Sequence, residues 1–363
     1  MPRFGGTDIH DCFSVSYAEA RSKFRSFCEA AGFSLEVREN PHAKGRDGEV
    51  LSSDVASKGP ADAPNVLLVT SGTHGIEGYC GSGCQIALMR DGVFDVLPDQ
   101  TRVVLVHAVN PYGFSHQRRV NENNIDLNRN FVDHAAPYPD SSAYEAIHPL
   151  IAPADYGERP DHWDGEVLNW IGGHGMDAFR QAVSGGQYRC ADGLFFGGNS
   201  ASWSNRMIRD IMENLAVSVR RFRFIDIHTG LGPFGHGEKL GLGNFVAVQR
   251  AQKTWGADVT DLGGGESVSA VVAGDIGGAF FEASGAEIDA AGIALEYGTQ
   301  DPVSVLGALR WDNWLHAHDD PAGPSASAVK EKMRDAFYPD SAEWRESVVD
   351  QARSAVTQSI NAS

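Results

Sequence analysis

The sequence predicts an α/β fold in which a mixed, mostly parallel central sheet carries helices on both of its faces. Short apolar runs rich in β-branched residues, typical of buried strands, occupy residues 65–70, 102–107 and 222–227. Segments with apolar residues at helical spacing lie between them, and strands that alternate with helices indicate a parallel or mixed sheet. At 363 residues, 42% of them apolar, the chain is long enough to bury a large core.

The first elements follow from local signals. Ser16 and Glu19 form a capping box that predicts a helix start, and Gly32 supplies the C-terminal stop of that helix. Alternating apolar residues over 33–37 predict a strand with one solvated face near an edge of the sheet. The polar, turn-rich stretch 40–63 predicts at most one further short strand.

Further elements are predicted along the rest of the chain. Strands are expected at 244–248 and 292–296, and helices at about 78–90 and 203–219. The proline-rich stretch at about 133–165 breaks the alternation and is expected to be an irregular insertion, a lid or a substrate-side loop. A helix-start signature near residue 339 predicts a C-terminal helical extension at about 323–363. We therefore expect a single domain over 1–363.

The charge balance restricts the partners of the protein. The 30 Lys and Arg against 48 Asp and Glu give a formal charge of -18, which repels nucleic acid and anionic membrane surfaces. No signal peptide and no apolar run long enough to span a membrane are apparent, so a soluble, cytoplasmic protein is expected. The five cysteines are scattered and odd in number, which disfavours a disulfide framework. The oligomeric state stays open, and a homo-oligomer is one option.

A glycine-rich loop at 71–78 follows the first buried strand and carries His74 and Glu77 three residues apart. Imidazole nitrogen and carboxylate oxygen both suit zinc, and a catalytic zinc takes three protein ligands and leaves one position open. In an open α/β sheet the third ligand is expected at the carboxyl end of another central strand. His228 fits this requirement best, although a structural histidine is the commoner outcome; His107 and His236 are weaker candidates.

Two further features could complete such a site. Glu296 closes an apolar strand, where a carboxylate is costly unless it has a partner or a task. It is the candidate general base, with a structural arginine pair as the alternative. Arg118, Arg119 and Arg129 lie among loop-forming residues, and their planar guanidinium groups suit a carboxylate or a developing oxyanion. A solvated turn with surface arginines is the alternative for this segment.

These motifs together carry a resemblance. In chain order, His74-x-x-Glu77, the Asp-Leu-Asn-Arg-Asn-Phe run at 126–131, His228 and Glu296 resemble the zinc carboxypeptidase family, which includes the succinylglutamate desuccinylase and aspartoacylase branch. The sequences of segments 71–78 and 118–131 are most similar to a bacterial subgroup of poorly defined activity. The resemblance extends over roughly 65–300 and implies a carboxypeptidase-like (phosphorylase/hydrolase-like) fold.

The resemblance also implies roles for individual residues. One Zn2+ ion would be bound by His74, Glu77 and His228, while Glu296 would activate water and later protonate the leaving amine. The substrate carboxylate would be held by Asn128 and Arg129. The scissile carbonyl would be polarised by Arg119, with Arg118 as the alternative, because adjacent arginines cannot be distinguished without geometry.

One departure from the family bears on the substrate. Peptide-cleaving relatives carry a tyrosine about two dozen residues before the catalytic glutamate, and the corresponding stretch 271–278 contains none. We therefore expect a zinc-dependent hydrolase acting on a small carboxylate-bearing amide or peptide, either a metallocarboxypeptidase or an N-acyl-amino-acid deacylase. The alternative is a catalytically silent carboxylate-binding protein that retains the fold. A purely structural zinc site conflicts with a three-ligand set.

Overall fold

The computed structural model describes residues 8–261 and 272–361, which form eight strands and twelve helices. The strands are β1 (Ser34–Lys44), β2 (Val50–Lys58), β3 (Asn65–Ser71), β4 (Thr101–His107), β5 (Arg221–Phe234), β6 (Gly237–Gly241), β7 (Val259–Asp261) and β8 (Asp289–Gly298). The helices are α1 (Tyr17–Ala31), α2 (Gly78–Arg90), α3 (Pro111–Ser115), α4 (Ser142–Ile151), α5 (Pro160–His174), α6 (Met176–Ser184), α7 (Trp203–Ala216), α8 (Phe245–Trp255), α9 (Ile276–Ser284), α10 (Pro302–His318), α11 (Ala326–Phe337) and α12 (Ala342–Asn361).

All eight strands belong to one sheet, in the order β1-β2-β4-β3-β5-β8-β6-β7. The central strands β4, β3, β5 and β8 pair in parallel, and so do β6 and β7. The pairs β1–β2, β2–β4 and β6–β8 are antiparallel. The predicted mixed, mostly parallel sheet is therefore confirmed, and the strand predicted at 33–37 is indeed an edge strand.

Alternation along the central strands divides the core between the two faces of the sheet. On β3, Leu67 and Val69 pack into one cluster with α1, α2, α8 and α12, whereas Val66 and Leu68 pack into another with α7 and α9. Each fully buried valine or leucine contributes about 1.5–3 kcal/mol relative to an exposed one. Helices therefore cover both faces, as the buried strands at the centre require.

Several helix boundaries match the sequence signals. The Ser16 hydroxyl accepts from the backbone N–H of Glu19 at 3.2 Å, while the Glu19 carboxylate bonds the N–H of Val15 rather than that of Ser16. Gly32 ends α1 in the left-handed conformation, with φ of 77°. The apolar stripe of α12, from Trp344 onward, is buried. No helix within the described ranges is both long enough and apolar enough to cross a membrane.

The prediction of a strand at 244–248 is wrong, because this run forms the beginning of α8. The Asn244 side chain accepts from the backbone N–H of Ala247 at 3.1 Å and so caps the helix. Val248, Ala251 and Trp255 are buried, whereas Phe245 and its neighbour are exposed. A five-residue apolar run does not distinguish strand from helix, and the burial period of three to four residues became visible only in the fold.

The polar stretch 40–63 holds more strand than the sequence predicted. β1 continues to Lys44, and β2 is a nine-residue strand between β1 and β4. Two of its buried polar residues have partners: Asp54 accepts from Arg21 Nε at 2.7 Å, and the Ser53 hydroxyl donates to the Ala108 carbonyl at 2.5 Å. Polar residues satisfied by tertiary partners hid this strand from a hydrophobicity pattern.

The stretch 133–165 is irregular only in part. It contains all of α4 and the beginning of α5. Pro160 occupies the first turn of α5, where its missing N–H has no helical partner to lose. Pro160 at the start of α5 and Pro149 inside α4 therefore made this segment appear more irregular than it is. The predicted C-terminal extension consists of α11 and α12.

Candidate metal centre and catalytic cavity

The loop between β3 and α2 brings His74 and Glu77 to the carboxyl end of the sheet. Gly72 has a φ of 64°, and a Cβ there would lie 2.9 Å from the Cβ of Ala108. A Cβ on Gly75 would lie 2.0 Å from the carbonyl carbon of Gly113. Glycine is therefore required at both positions, and the tight turn places the imidazole and the carboxylate on one side.

Parallel pairing places the other predicted residues at the same edge. Ser71, which ends β3, pairs with Ile227 of β5, so that His228 emerges beside the loop. His228 in turn is the register partner of Glu296 on β8. The carboxyl ends of three adjacent central strands thus deliver the four residues that the sequence singled out.

The side chains of His74, Glu77 and His228 form a compact, buried group. Their potential ligand atoms all lie within 4.8 Å of one another. The Nδ1 atom of His74 is 2.8 Å from Glu77 Oε1, and the Nδ1 atom of His228 is 2.8 Å from Glu77 Oε2. Two imidazole nitrogens and a carboxylate therefore converge in a group that could hold a metal ion.

Asp226 orients one of these rings, as its position two residues before His228 suggested. Its Oδ2 atom lies 2.6 Å from His228 Nε2. Its Oδ1 atom accepts from the hydroxyls of Thr70 at 2.6 Å and Thr73 at 2.8 Å. A carboxylate fixed in this way holds the Nε2 proton of His228 and leaves Nδ1 directed at Glu77.

Asp126 lies behind the other ring, that of His74, a position that was not predicted from the sequence. Its Oδ1 atom lies 3.3 Å from His74 Nε2, and its Oδ2 atom accepts from Arg119 Nε at 2.9 Å. It also caps a short turn by accepting from the backbone N–H of Asn128 at 3.0 Å. The signal that could have found it is its place in the Asp-x-Asn-Arg run, two residues before Asn128.

The donor set fits zinc. Each histidine turns Nε2 to a buried carboxylate and Nδ1 to the shared centre, the usual arrangement of ligand imidazoles. The Nε2 atom of His74 lies 3.3 Å from Asp126 in an ion-pair contact without a hydrogen bond, whereas Nε2 of His228 is held at 2.6 Å by Asp226. Two imidazoles and one carboxylate match a three-ligand catalytic site with an open position.

The protonation of this group reflects its charges. Burial would raise the pKa of Glu77, but the facing rings of His74 and His228 hold the pKa at about 2. Burial would lower the pKa of His228, but the carboxylates of Asp226 and Glu77 raise it well above its ordinary value. The metal-free group therefore retains a proton on His228, which a metal ion would displace, so metal binding is expected to release protons.

The structure separates the two adjacent arginines. Arg119 Nε bonds Asp126, its Nη1 lies 3.4 Å from Glu77 Oε1, and the guanidinium lines the cavity described below. Arg118 turns away: its Nε donates to Asp312 at 2.9 Å and its Nη2 to Asn124 at 3.1 Å. Their different partners leave only Arg119 facing the site.

Asn128 and Arg129 both line the cavity. The guanidinium of Arg129 donates to the backbone carbonyls of Ser184 and Asn128, but it forms no ion pair with a carboxylate among the described residues. Its burial lowers the pKa, because desolvation disfavours the charged form. A buried guanidinium without a carboxylate partner, facing a cavity, suits an anionic ligand.

Glu296 stands beside the metal-binding group with one oxygen committed. Its Oε1 atom accepts from the backbone N–H of Leu231 at 3.0 Å. Burial and the nearby charge of Glu77 raise the pKa of Glu296 to about 7. A carboxylate near this value can accept and return a proton at neutral pH, as a general base requires.

This shift predicts a pH-dependent effect in the metal-free protein. The folded pKa of about 7 exceeds the ordinary value of 4.5. Glu296 therefore favours folding below pH 4.5, and this contribution is lost as the pH rises through 7. Since glutamine cannot ionise, the Glu296→Gln variant does not lose this contribution at high pH. In chelator-treated protein, its gain in free energy of unfolding over wild type should be larger at pH 9 than at pH 5, by at most about 3 kcal/mol.

Denaturant titration at the two pH values measures this effect. The matched control is Glu213→Gln on the exposed surface of α7, for which no pH-dependent difference from wild type is expected. An equal effect of Glu296→Gln at pH 5 and pH 9 would show that ionisation of Glu296 does not couple to folding.

A cavity of about 1160 Å³ opens at this edge of the sheet. All seven residues predicted for the site line it, and Phe195 lies between Arg119 and Arg129, 5.4 and 5.6 Å from their guanidinium carbons. The neighbouring Phe196 packs in the core, and Tyr138 stacks on Tyr188. This part of the cavity wall thus combines one aromatic ring with two guanidinium groups.

The segment 271–278, which lacks the tyrosine of peptide-cleaving relatives, borders the same cavity. Its first residue, Val271, lies outside the described residues. Asp275 caps α9, and the backbone N–H of Ile276 donates to Asn128 Oδ1 at 3.1 Å, which ties this segment to the arginine-bearing loop. No tyrosine is found among the described residues that line the cavity.

A family profile described as "Protein of unknown function (DUF2817)" matches residues 13–351, nearly the whole chain. The chain belongs to the DUF2817 family. The matched span contains every residue of the site. A comparison of this DUF2817 protein with curated proteins finds no match.

Solved structures share the fold of this DUF2817 protein. A thrombin activatable fibrinolysis inhibitor has a TM-score of 0.51 and 12% identity, with 100% of this chain and 77% of that chain covered. A metallo-carboxypeptidase from Pseudomonas aeruginosa has a TM-score of 0.41 and 16% identity over 92% of this chain and 69% of that chain. An aspartoacylase family protein from Mesorhizobium loti has a TM-score of 0.35 and 16% identity over 78% and 66%. The predicted resemblance and the carboxypeptidase-like fold are confirmed.

Proposed function

We propose that this protein is a zinc-dependent hydrolase that cleaves an amide bond adjacent to a free carboxylate. The observation that carries the proposal is the convergence of three elements on one cavity: the His74, Glu77 and His228 group, the carboxylate of Glu296, and the guanidinium of Arg119. A metal group, a titratable base and a fixed cation around one space are what metal-assisted hydrolysis requires.

The metal would be held by His74, Glu77 and His228, with Asp226 and Asp126 orienting the two rings. Bound zinc supplies a Lewis acid that lowers the pKa of water and polarises a carbonyl oxygen. Asp226 would keep the Nε2 proton of His228 in place, and Asp126 faces Nε2 of His74 at 3.3 Å, so that both Nδ1 atoms are directed at the metal group.

Glu296 would carry the proton between the two halves of the reaction. Its Oε1 atom is committed to the Leu231 N–H, which leaves Oε2 to accept the proton of the attacking water. The same oxygen would return the proton to the leaving nitrogen. A pKa raised to about 7 makes both transfers feasible near neutral pH.

The arginines would hold the substrate and the charge that develops on it. Arg119 is fixed by Asp126 and faces the metal group, where it can stabilise an oxyanion. Arg129 and Asn128 would bind the free carboxylate, because the charge of Arg129 is not matched by an ion pair among the described residues. These two cationic positions fix the direction in which an amide lies in the cavity.

Two activities remain within this class: C-terminal trimming of peptides and removal of an acyl group from an N-acyl amino acid. The lack of a tyrosine in 271–278, and on the described cavity wall, favours the second. We therefore propose a deacylase acting on a small carboxylated amide, with a carboxypeptidase as the alternative within the class.

Metal analysis and a substrate panel test this proposal. We expect about one zinc per chain, loss of hydrolysis on chelation, and recovery when zinc is restored. N-acyl amino acids should be cleaved faster than dipeptides that have a free amino terminus. The same amino acids with their carboxylate amidated are the matched control, and they should be poor substrates because Arg129 then lacks a charged partner.

The competing function is a carboxylate-binding protein without catalysis. Stoichiometric zinc with no turnover of any N-acyl amino acid or peptide would favour it, and hydrolysis insensitive to chelation would overturn the metal-dependent mechanism. The raised pKa of Glu296 argues against a silent site, because ligand binding alone does not need a titratable carboxylate beside the metal group.

A further inference from the structure

Most of the cavity wall is not part of the chemistry described above. Beyond the metal group and the arginines, the walls come largely from apolar side chains of three helices. From α5 and α6 they are Val167, Ile171, Phe179 and Val183, and from α10 they include Leu306 and Leu309. A volume of about 1160 Å³ exceeds the roughly 300–1,000 Å³ typical of small-molecule pockets. A short amide would leave these apolar walls in contact with water.

The rim of the cavity carries exposed apolar side chains as well as exposed polar ones. Four lining residues are large apolar side chains exposed to solvent: Phe245 (65%), Phe234 (54%), Met176 (39%) and Val303 (38%). They come from four different elements, so their exposure is not the fraying of one segment. Exposed apolar residues grouped at the entrance of an apolar cavity mark a binding site more often than chance exposure.

Helix α6 connects this mouth to the proposed carboxylate site. Its last residue, Ser184, accepts from Arg129 through its carbonyl, and its first residue, Met176, stands exposed at the rim. With a rise of 1.5 Å per residue, the helix spans about 12 Å between these two points. Phe179 and Val183 lie on the cavity side of α6 along this path.

We propose that these apolar walls bind a long, unbranched acyl chain, so that the substrate is an N-long-chain-acyl amino acid. The inference rests on the proposed hydrolase function and specifies its substrate class. The carboxylate binds at Arg129, the amide lies beside Glu296, and the acyl chain follows the apolar walls towards the rim. The substrate reaches the site as a single amphiphilic molecule, because the formal charge of -18 repels an anionic membrane surface.

Binding to the Glu296→Gln protein tests the inference apart from catalysis. Titration with N-acetyl-, N-hexanoyl- and N-decanoylglycine should show affinity that rises about fourfold for each methylene, since each buried methylene contributes about 0.8 kcal/mol. The rise should stop once the chain extends beyond the rim. Equal affinity across the series would overturn the inference.

Substitution at the rim locates the chain. Met176→Glu in the Glu296→Gln protein should lower the ratio of N-decanoyl to N-acetyl affinity by at least about tenfold. The reason is that an alkyl chain beside a charged side chain is no longer buried in an apolar environment. Val96→Glu, at a more exposed apolar residue (87% against 39% for Met176) outside the described cavity lining, should leave that ratio at its original value. Equal ratios in the two variants would contradict the assignment.

Two further outcomes separate this inference from the proposed function. If the wild-type protein hydrolyses short and long acyl chains equally, the hydrolase proposal stands and the chain-binding inference fails. If the protein binds long chains preferentially but hydrolyses none, the inference stands and the hydrolase proposal fails. Affinity that follows the amino-acid side chain of N-acetyl amino acids, rather than the acyl chain, also overturns the inference.

Discussion

Replacing Glu296 with glutamine should lower kcat by about 10²- to 10⁴-fold while leaving the zinc content unchanged. Glutamine keeps the shape of the side chain and can accept from the Leu231 N–H, but it cannot take a proton from water. His74→Ala should differ in its zinc content: it removes one of the three proposed ligands, so the bound zinc should be lost together with the activity.

Zinc content by elemental analysis and initial rates on one N-acyl amino acid distinguish these results. Glu213→Gln, on the exposed surface of α7, is the matched control and should retain both zinc and rate. Retention of zinc and turnover by both Glu296→Gln and His74→Ala would disprove the proposed centre. Loss of zinc from Glu296→Gln would instead make Glu296 a metal ligand rather than a base.

Replacing Arg119 with alanine should lower kcat by about 10²- to 10³-fold, the usual cost of removing one oxyanion-stabilising donor. Added guanidine should restore part of the rate, since the alanine leaves a space of guanidinium shape beside Asp126. Arg118→Ala should leave kcat within a few-fold of wild type. Its side chain bonds Asp312 and lies away from the cavity lining.

The two arginine variants should also differ in stability. Arg118→Ala breaks a buried ion pair, but Lys330 still bonds Asp312 at 2.5 Å. The free energy of unfolding should therefore fall by less than the about 3–5 kcal/mol expected when a buried charge loses its only partner. Denaturant unfolding measures this loss. A kcat loss in Arg118→Ala equal to that of Arg119→Ala would show that the oxyanion role is assigned to the wrong arginine.

The proposed metal ligands and base were accessible from the sequence because they follow strands. Each of His74, Glu77, His228 and Glu296 lies at or just after an apolar β-branched run, and the carboxyl ends of parallel strands meet at one edge. Register then places the residues together without any further information. For the same reason the central strands were predicted correctly, together with the helices α2 and α7.

Elements whose identity depends on partners were not accessible. The run 244–248 is helical because Asn244 caps it and because one face of α8 packs against β8. β2 is a strand although its polar residues hide it from a hydrophobicity pattern. Asp126 acquires its role only where the chain folds back on His74. Hydrophobic patterns record burial, and they do not record which polar groups a fold will satisfy.

The sequence by itself therefore determined the parallel α/β core and the residues at the carboxyl ends of its central strands, since both depend on short-range periodicity. Only the tertiary structure decided between Arg118 and Arg119, because neighbouring side chains point in opposite directions and the choice depends on Asp126 and Asp312. It also decided the apolar cavity, whose walls include the consecutive helices α5 and α6 and the distant helix α10, which no local pattern relates to them.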